Sequence, residues 1–497
     1  MEVDDNIDLS SRANVENHVS RERSSNPEDD IQEYKYNYLT TQNGIEDISR
    51  YNKGGFHPIH LGHYLDNRFE VYHKLGSGGF GTVWLCWDRQ LSKWRAVKVM
   101  TADHSSDSAE AKTFDFLTQN CTLDELDQNH IAVPLETFWI DGPNGRHLCL
   151  VMQVYGHPVS EWRSDLSSLD PSTKKHTAKI CGQITQALAF LHEKGVCHGD
   201  FRPSNILMKL DQDALHEIAP CDMDRFLGAA EAYDVQTRSG GTPLPRGPEY
   251  CVTAVSSTWC QKLLIQEAAV VDFGGSFFTH SPKAGSCIPR SYASPEVLFR
   301  QTSGVGADIW ALACTIFEVR TDERLFGTDF WEGSKPSRIL YEIEVILGPL
   351  AEPYREPRDR ENLEGPSAMP GLREENEESH LASLDHERSS HIDGTGYDNI
   401  LEAMLGRERK KYHSPFGEHS FEPPIRYRYE KDEVQKLADL LGCLFKYNPE
   451  DRLRAKDALQ HPWFQTTASS RALCTRTSTQ KASWISIFLD TIRGLHW

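Results

Sequence analysis

A chain of 497 residues is long enough for more than one domain's worth of core. Its 38% hydrophobic and 25% charged residues are the balance of a globular protein carrying polar segments. The net charge of −20 disfavours direct nucleic-acid binding and would draw a cationic partner, and no run approaches the roughly 20 apolar residues of a membrane-spanning helix.

Residues 1–50 carry twelve acids against five bases, without apolar period, and are expected to be disordered. They lack an apolar signal-like stretch, and the twelve cysteines are scattered without CxxC spacing. Both features predict an intracellular protein, in cytoplasm or nucleus, with reduced thiols. Residues 51–68 form a lead-in. From Phe69 to Met100 the text is strand-like: RFEVYHKL, TVWLCWD and WRAVKVM are rich in aromatic and β-branched residues. Helical spacing begins near Ser172, where Ile180, Ile184, Leu188 and Leu191 recur three or four apart. Ile309–Val319 and Val434–Phe445 also read as buried helices. Strands followed by helices predict an α+β fold of two lobes, at 69–153 and 157–464. Two aperiodic stretches, 208–262 and the acidic 352–395, read as surface insertions. The tail 465–497 ends in a short amphipathic segment (Ile485, Phe488, Leu489, Ile492, Leu495) expected to dock on the folded body. The basic cluster Arg407–Lys411 reads equally as an address or a solvated helix face.

The chemistry is concentrated in a few motifs. Leu75, Gly76, Ser77, Gly78, Gly79, Phe80, Gly81, Thr82 and Val83 contain GxGxxG. A dinucleotide-binding turn would lead into a helix; the residues here, Val83-Trp-Leu-Cys-Trp, read as a strand. A glycine-rich hairpin between two strands can lay its backbone over phosphates. Fifteen residues on, a strand ends in Ala96-Val97-Lys98, and Glu110 in AEAKTFDFL is the candidate partner for that lysine. In His198-Gly-Asp-Phe-Arg-Pro-Ser-Asn205, Asp200 stands five residues before Asn205, the spacing of a base and a metal ligand in phosphoryl transfer. Asp272-Phe-Gly274 follows the apolar run 268–271 and supplies a second metal ligand. Ser294-Pro-Glu296, Asp308 and Arg452 are candidate supports, with Arg452 expected to pair with Glu296 and Asp308 to cap the catalytic loop. Cys197 has no evident base and reads as a packing residue.

In this order, the motifs resemble the eukaryotic protein kinase superfamily over about residues 69–464. The lead-in Tyr51–Pro58, Trp84-Leu-Cys-Trp-Asp88, the hinge text Leu148–Trp162 and the 67 positions between Asn205 and Asp272 resemble the serine/arginine-protein kinase (SRPK-type) family, particularly its divergent fungal members. The resemblance implies a bilobal kinase fold using ATP and Mg²⁺. Met152 is then the gatekeeper, and Met152 and Val154 are nucleotide-contacting hinge residues. Phe201 and the SPE segment imply serine or threonine as acceptor, in protein substrates that are basic and often Arg/Ser-rich. A monomer is expected. The alternative is a pseudokinase scaffold that binds nucleotide or protein partners without efficient transfer.

Two departures carry expectations. Arg202 stands where the family places lysine against the γ-phosphate; it keeps the charge but presents a longer, planar fork, which predicts some loss of rate. Gly199 replaces the arginine that anchors a phosphorylated activation loop. Joint alanine substitution of Thr279, Ser281, Ser286 and Ser291 is therefore expected to leave phosphoryl transfer nearly intact in a peptide assay; a large loss would show that loop phosphorylation is required.

Overall fold

Aromatic and β-branched residues pair into an antiparallel sheet at the N-terminal end of the domain, as their pattern predicts. The computed structural model describes Tyr36 and residues 45–166, 171–284, 288–299, 302–327, 336–351, 354, 377–411 and 425–468. Its main sheet is built from β1 (Tyr64–Leu65), β2 (Phe69–Gly78), β3 (Gly81–Asp88), β4 (Lys93–Met100), β5 (Glu136–Gly142) and β6 (Gly145–Met152), in the order β1-β2-β3-β4-β6-β5. Between β4 and β5 runs helix α1 (Ala109–Asn120). The Ser108 hydroxyl caps it by accepting from the Ala111 amide at 3.1 Å. Phe114 and Leu117 anchor α1, and its first turn carries Glu110.

The second lobe opens with α2 (Val159–Asp165) and α3 (Pro171–Glu193), then β7 (Ile206–Leu210). The stretch 208–262, expected as a surface insertion, contributes several side chains to a core, while most of 228–246 is exposed. It folds into α4 (Gln212–His216), α5 (Pro220–Leu227) and the hairpin β8 (Ala232–Asp234) with β9 (Tyr250–Val252). Strand β10 (Leu264–Val270) then returns antiparallel to β7. Leu215, Met223, Trp259 and Cys260 bury with Leu85, Trp94 and Val154, and the Trp94 indole donates to the Ile218 carbonyl at 2.9 Å. The insertion thus covers the second face of β3 and β4, whose residues are buried in near-continuous runs rather than alternately. Each large apolar side chain so covered contributes roughly 1.5–3 kcal/mol. Its buried residues come from several short elements, which share no period for sequence reading to detect.

The lead-in packs just as firmly. Tyr51 and Phe56 form a small core with Tyr36, Ile45, Ile48, Val235 and Cys251, so residues ahead of the expected boundary at 50 belong to the folded body. The Lys74 ammonium of β2 pairs with the Glu46 carboxylate, and the Tyr51 hydroxyl donates to the same carboxylate.

Helix α6 (Val305–Thr321) is buried on nearly every side, as the centre of a helical lobe must be. Around it stand α7 (Pro336–Leu347), α8 (Glu377–Ile392), α9 (Ile400–Gly406) and α10 (Lys431–Leu444). The acidic stretch 352–395 is thus helical in its second half. There Leu384 is buried, and Arg388 donates to the carbonyls of Glu344 and Val345 at 2.9 and 2.6 Å. The basic cluster at 407–411 is not a helix face: Arg409–Lys411 pairs as a strand with Ile425–Tyr427. Arg409 is buried and donates to the Leu405 and Met404 carbonyls, closing α9. The amphipathic segment 485–495 lies outside the described residues. Among the described residues every cysteine is a free thiol, and no described helix is long and apolar enough to cross a membrane.

Arg452 and Glu296 form a buried bidentate pair at 2.6 and 2.8 Å, and Arg452 also donates to the Gly306 and Lys446 carbonyls. Arg452→Met strands a buried carboxylate and is expected to destabilise the fold by about 3–5 kcal/mol, read from urea denaturation midpoints. A loss under about 1 kcal/mol, the range of an exposed pair, would contradict this assignment.

Candidate active site

The sequence brings Lys98 to the sheet face that meets α1, because it falls two residues after Ala96 on β4. Its Nζ lies 2.7 Å from Glu110 Oε2, 3.0 Å from Glu110 Oε1 and 3.1 Å from Asp272 Oδ1. Burial opposes the ammonium charge, but the two carboxylates outweigh it and hold Lys98 above the ordinary lysine range. Burial likewise opposes ionisation of Asp272, and Lys98 overcomes it, keeping that carboxyl below its usual range. One ammonium shared by two carboxylates leaves a net negative charge at the cleft wall. Asp272 sits in left-handed backbone (φ 62°). The next residue, Phe273, is fully buried beneath α1, with its ring centroid 5.3 Å from Phe114 and 5.1 Å from His198.

The catalytic loop hangs from one carboxylate on α6. Asp308 accepts from the His198 amide at 2.8 Å and the Gly199 amide at 2.9 Å, and His192 Nε2 lies 3.0 Å away. Burial opposes its charge, and these partners overcome that, holding the Asp308 carboxyl below the usual range. Within the loop, Asn205 Nδ2 donates to the carbonyl and to Oδ2 of Asp200, both at 2.8 Å. Arg202 Nε donates to Asp200 Oδ1 at 3.1 Å, and Arg202 Nη1 donates to Ser204 Oγ at 2.9 Å. Burial raises the Asp200 pKa, with Arg202 and Asn205 opposing. Burial also raises the Cys197 thiol, so it stays a neutral packing group. Gly199 has φ +75°, and a Cβ there would lie 2.2 Å from the Gly275 carbonyl oxygen. No side chain fits at 199 in this arrangement, which is the structural reason for the missing arginine.

Between the lobes lies a cavity of about 640 Å³. Leu75, Gly76, Ser77, Gly78, Gly79, Phe80, Gly81 and Val83 line it, with Lys98, Glu110, Met152, Asn205 and Asp272. Gly81 is required by packing, since a Cβ would meet the Val99 carbonyl oxygen at 2.4 Å. Four expected residues do not line the cavity: Asp200 and Arg202, which stand beside it next to Ser204 and Asn205, and the expected nucleotide contacts Thr82 and Val154. Thr82 is buried on the opposite face, where its hydroxyl accepts from the Trp84 indole at 2.9 Å. Val154 is fully buried with Leu85 and Trp94, and the hinge wall is formed by Gln153, Tyr155 and Gly156 instead. Strand alternation from Val83 marks Thr82 as outward, and spacing of two marks Ala96 and Leu207 as further wall residues. Ile45, Ala254, Val255 and Trp259 also line the cavity, and no local sequence signal marks them.

Asp272 and Asn205 place two oxygen-bearing side chains on the cavity wall beside this negative charge. With its NH₂ committed to Asp200, Asn205 keeps Oδ1 as an acceptor. Hard oxygen donors of this kind fit Mg²⁺, and the glycine-lined roof with Lys98 beneath fits a nucleotide triphosphate.

The family model for the protein kinase domain matches residues 69–249 and 261–464. The chain is 27% identical over 445 residues to the serine/threonine-protein kinase SRPK of Physarum polycephalum, covering 84% of this chain and 90% of that protein. It is 33% identical over 552 aligned positions to SRSF protein kinase 3 of Mus musculus, again covering 84% and 90%. To the serine/threonine-protein kinase AFC2 of Arabidopsis thaliana it is 22% identical, covering 85% and 83%.

Proposed function

Because the chain belongs to the SRPK-type serine/threonine-protein kinases, we propose that it is catalytically active, moving the γ-phosphate of ATP to serine or threonine hydroxyls of basic, Arg/Ser-rich proteins. The observation that carries this reading is the assembled set of charged groups. Lys98 is paired with Glu110 and Asp272, and Asp200 is held by Asn205 and Arg202. In this reading Lys98 engages the α- and β-phosphates, and the glycine-rich hairpin covers them and excludes water. Asp272 and Asn205 would hold Mg²⁺, which when bound neutralises charge on the phosphate oxygens. Asp200 orients the substrate hydroxyl and accepts its proton, a task suited by its raised pKa. Arg202, fixed at both ends of its guanidinium, faces the negative charge developing on the transferred group. The net charge of −20, seven of it within residues 1–50, would draw basic substrates, and the name of the mouse relative points to the same class.

A scaffold without transfer rests on one observation, the bond from Arg202 to Asp200 Oδ1 at 3.1 Å, which engages the base. Purified full-length protein with MgATP and an Arg/Ser peptide distinguishes the two readings. Wild type is expected to transfer phosphate, and Asp200→Asn to lower kcat by about 10²–10⁴-fold; equal rates for both would exclude Asp200 as the base. The acid limb of the kcat/KM profile is expected above the ordinary aspartate value of about 3.9, with activity lost as pH falls through the raised Asp200 pKa. Arg202 stabilises the charged carboxylate, so Arg202→Met should move that limb further up; a downward move would contradict the pairing.

A further inference from the structure

The segment Ile45–Phe56 precedes every catalytic motif, yet it grips the glycine-rich hairpin. Arg50 Nη1 donates to the Gly79 carbonyl, at the tip of that hairpin, at 2.6 Å. The Arg50 guanidinium lies 4.6 Å above the ring of Phe56, a buried side chain, so its direction is set from behind. The carbonyl of the next tip residue, Phe80, accepts from the Thr101 amide at 3.0 Å. The chain following Thr101 is itself fastened to the lead-in: the Ala102 and Asp103 amides donate to the Gly55 and Gly54 carbonyls at 3.1 and 2.8 Å. Midway along β2, Lys74 pairs with Glu46, at 0% and 2% side-chain exposure. Ile45 reaches the cavity wall.

We propose that Ile45–Phe56 is a strap that sets the position of the glycine-rich hairpin over the nucleotide phosphates, with Arg50 as its positioning residue. The physical argument has two steps. In a planar trans peptide the carbonyl and the following amide point in opposite directions. Holding the Gly79 carbonyl on Arg50 therefore turns the Phe80 amide away from Arg50, which does not line the cavity, whereas Gly79 and Phe80 do. Glycine also loses more freedom than any other residue when fixed. A hairpin fixed beforehand by the strap has met that cost before the nucleotide arrives, which raises affinity. The proposal rests on the nucleotide-binding part of the function above.

The test uses the full-length chain as Arg50→Ala, Arg50→Lys and, as a control on the same lobe, Arg89→Ala. MgATP affinity is measured by calorimetric titration, alongside steady-state kinetics and melting temperature. Arg50→Ala is expected to raise Kd and KM for MgATP about five- to twenty-fold, the scale of a charge-assisted hydrogen bond at a partly exposed site. The KM for peptide and the melting temperature should stay unchanged. Arg50→Lys retains one donor and should recover part of the affinity, and Arg89→Ala should match wild type. Wild-type MgATP affinity in Arg50→Ala would overturn the strap. So would a loss spread equally over peptide KM, kcat and melting temperature. If wild type binds MgATP in an Arg50-dependent way but transfers no phosphate, the strap stands and the catalytic reading falls. If wild type binds no MgATP, both fall.

Discussion

The ammonium of Lys98 is the contact on which the working arrangement depends. It joins a strand, a helix and the start of the activation segment, through Glu110 at 2.7 Å and Asp272 at 3.1 Å. In a buried setting such charges are costly unless paired, so each member fixes the other two. Helix α1 cannot swing outward without stranding Glu110, and Asp272 cannot turn without losing Lys98. Phe273, packed between Phe114 and His198, follows from the same placement. The two lobes are thereby set in register at the place where phosphates would lie.

A second carboxylate does for the backbone what Lys98 does for the side chains. Asp308 receives two successive amides of the catalytic loop, which anchors the loop through its backbone rather than through a side chain at position 199. The conformation there admits only glycine against the Gly275 carbonyl. The loss of an arginine at this point is therefore part of the local packing rather than a defect. Arg202 is held in the same local way: its fork donates through Nε to Asp200 and through Nη1 to Ser204.

The insertion and the lead-in cover the second face of β3 and β4, the centre of the N-terminal sheet. Trp94, Leu85 and Val154 lie inside because Leu215, Met223 and Trp259 cover them. The same segments then reach the cavity through Ile45, Val255 and Trp259, so the additions to the domain shape its nucleotide cleft as well as its stability.

Read alone, the chain determined the motifs whose meaning is local. The glycine-rich hairpin, Lys98, the Asp200–Asn205 spacing and Asp272 each express backbone or charge requirements within a few residues. The helices at 171–193, 305–321 and 431–444 were legible from apolar spacing. What the tertiary structure alone decided are the contacts made across hundreds of positions. The burial of Leu215, Met223 and Trp259, the packing of Ile45 and Ile48 beside Tyr51, the turning of Thr82 and Val154 away from the cleft, and the grip of Arg50 on Gly79 all belong here. Hydrophobic periodicity reports which face of an element is covered, but not by what. A short element whose partner lies far along the chain leaves no period at all, and its place is set only when the distant surfaces meet.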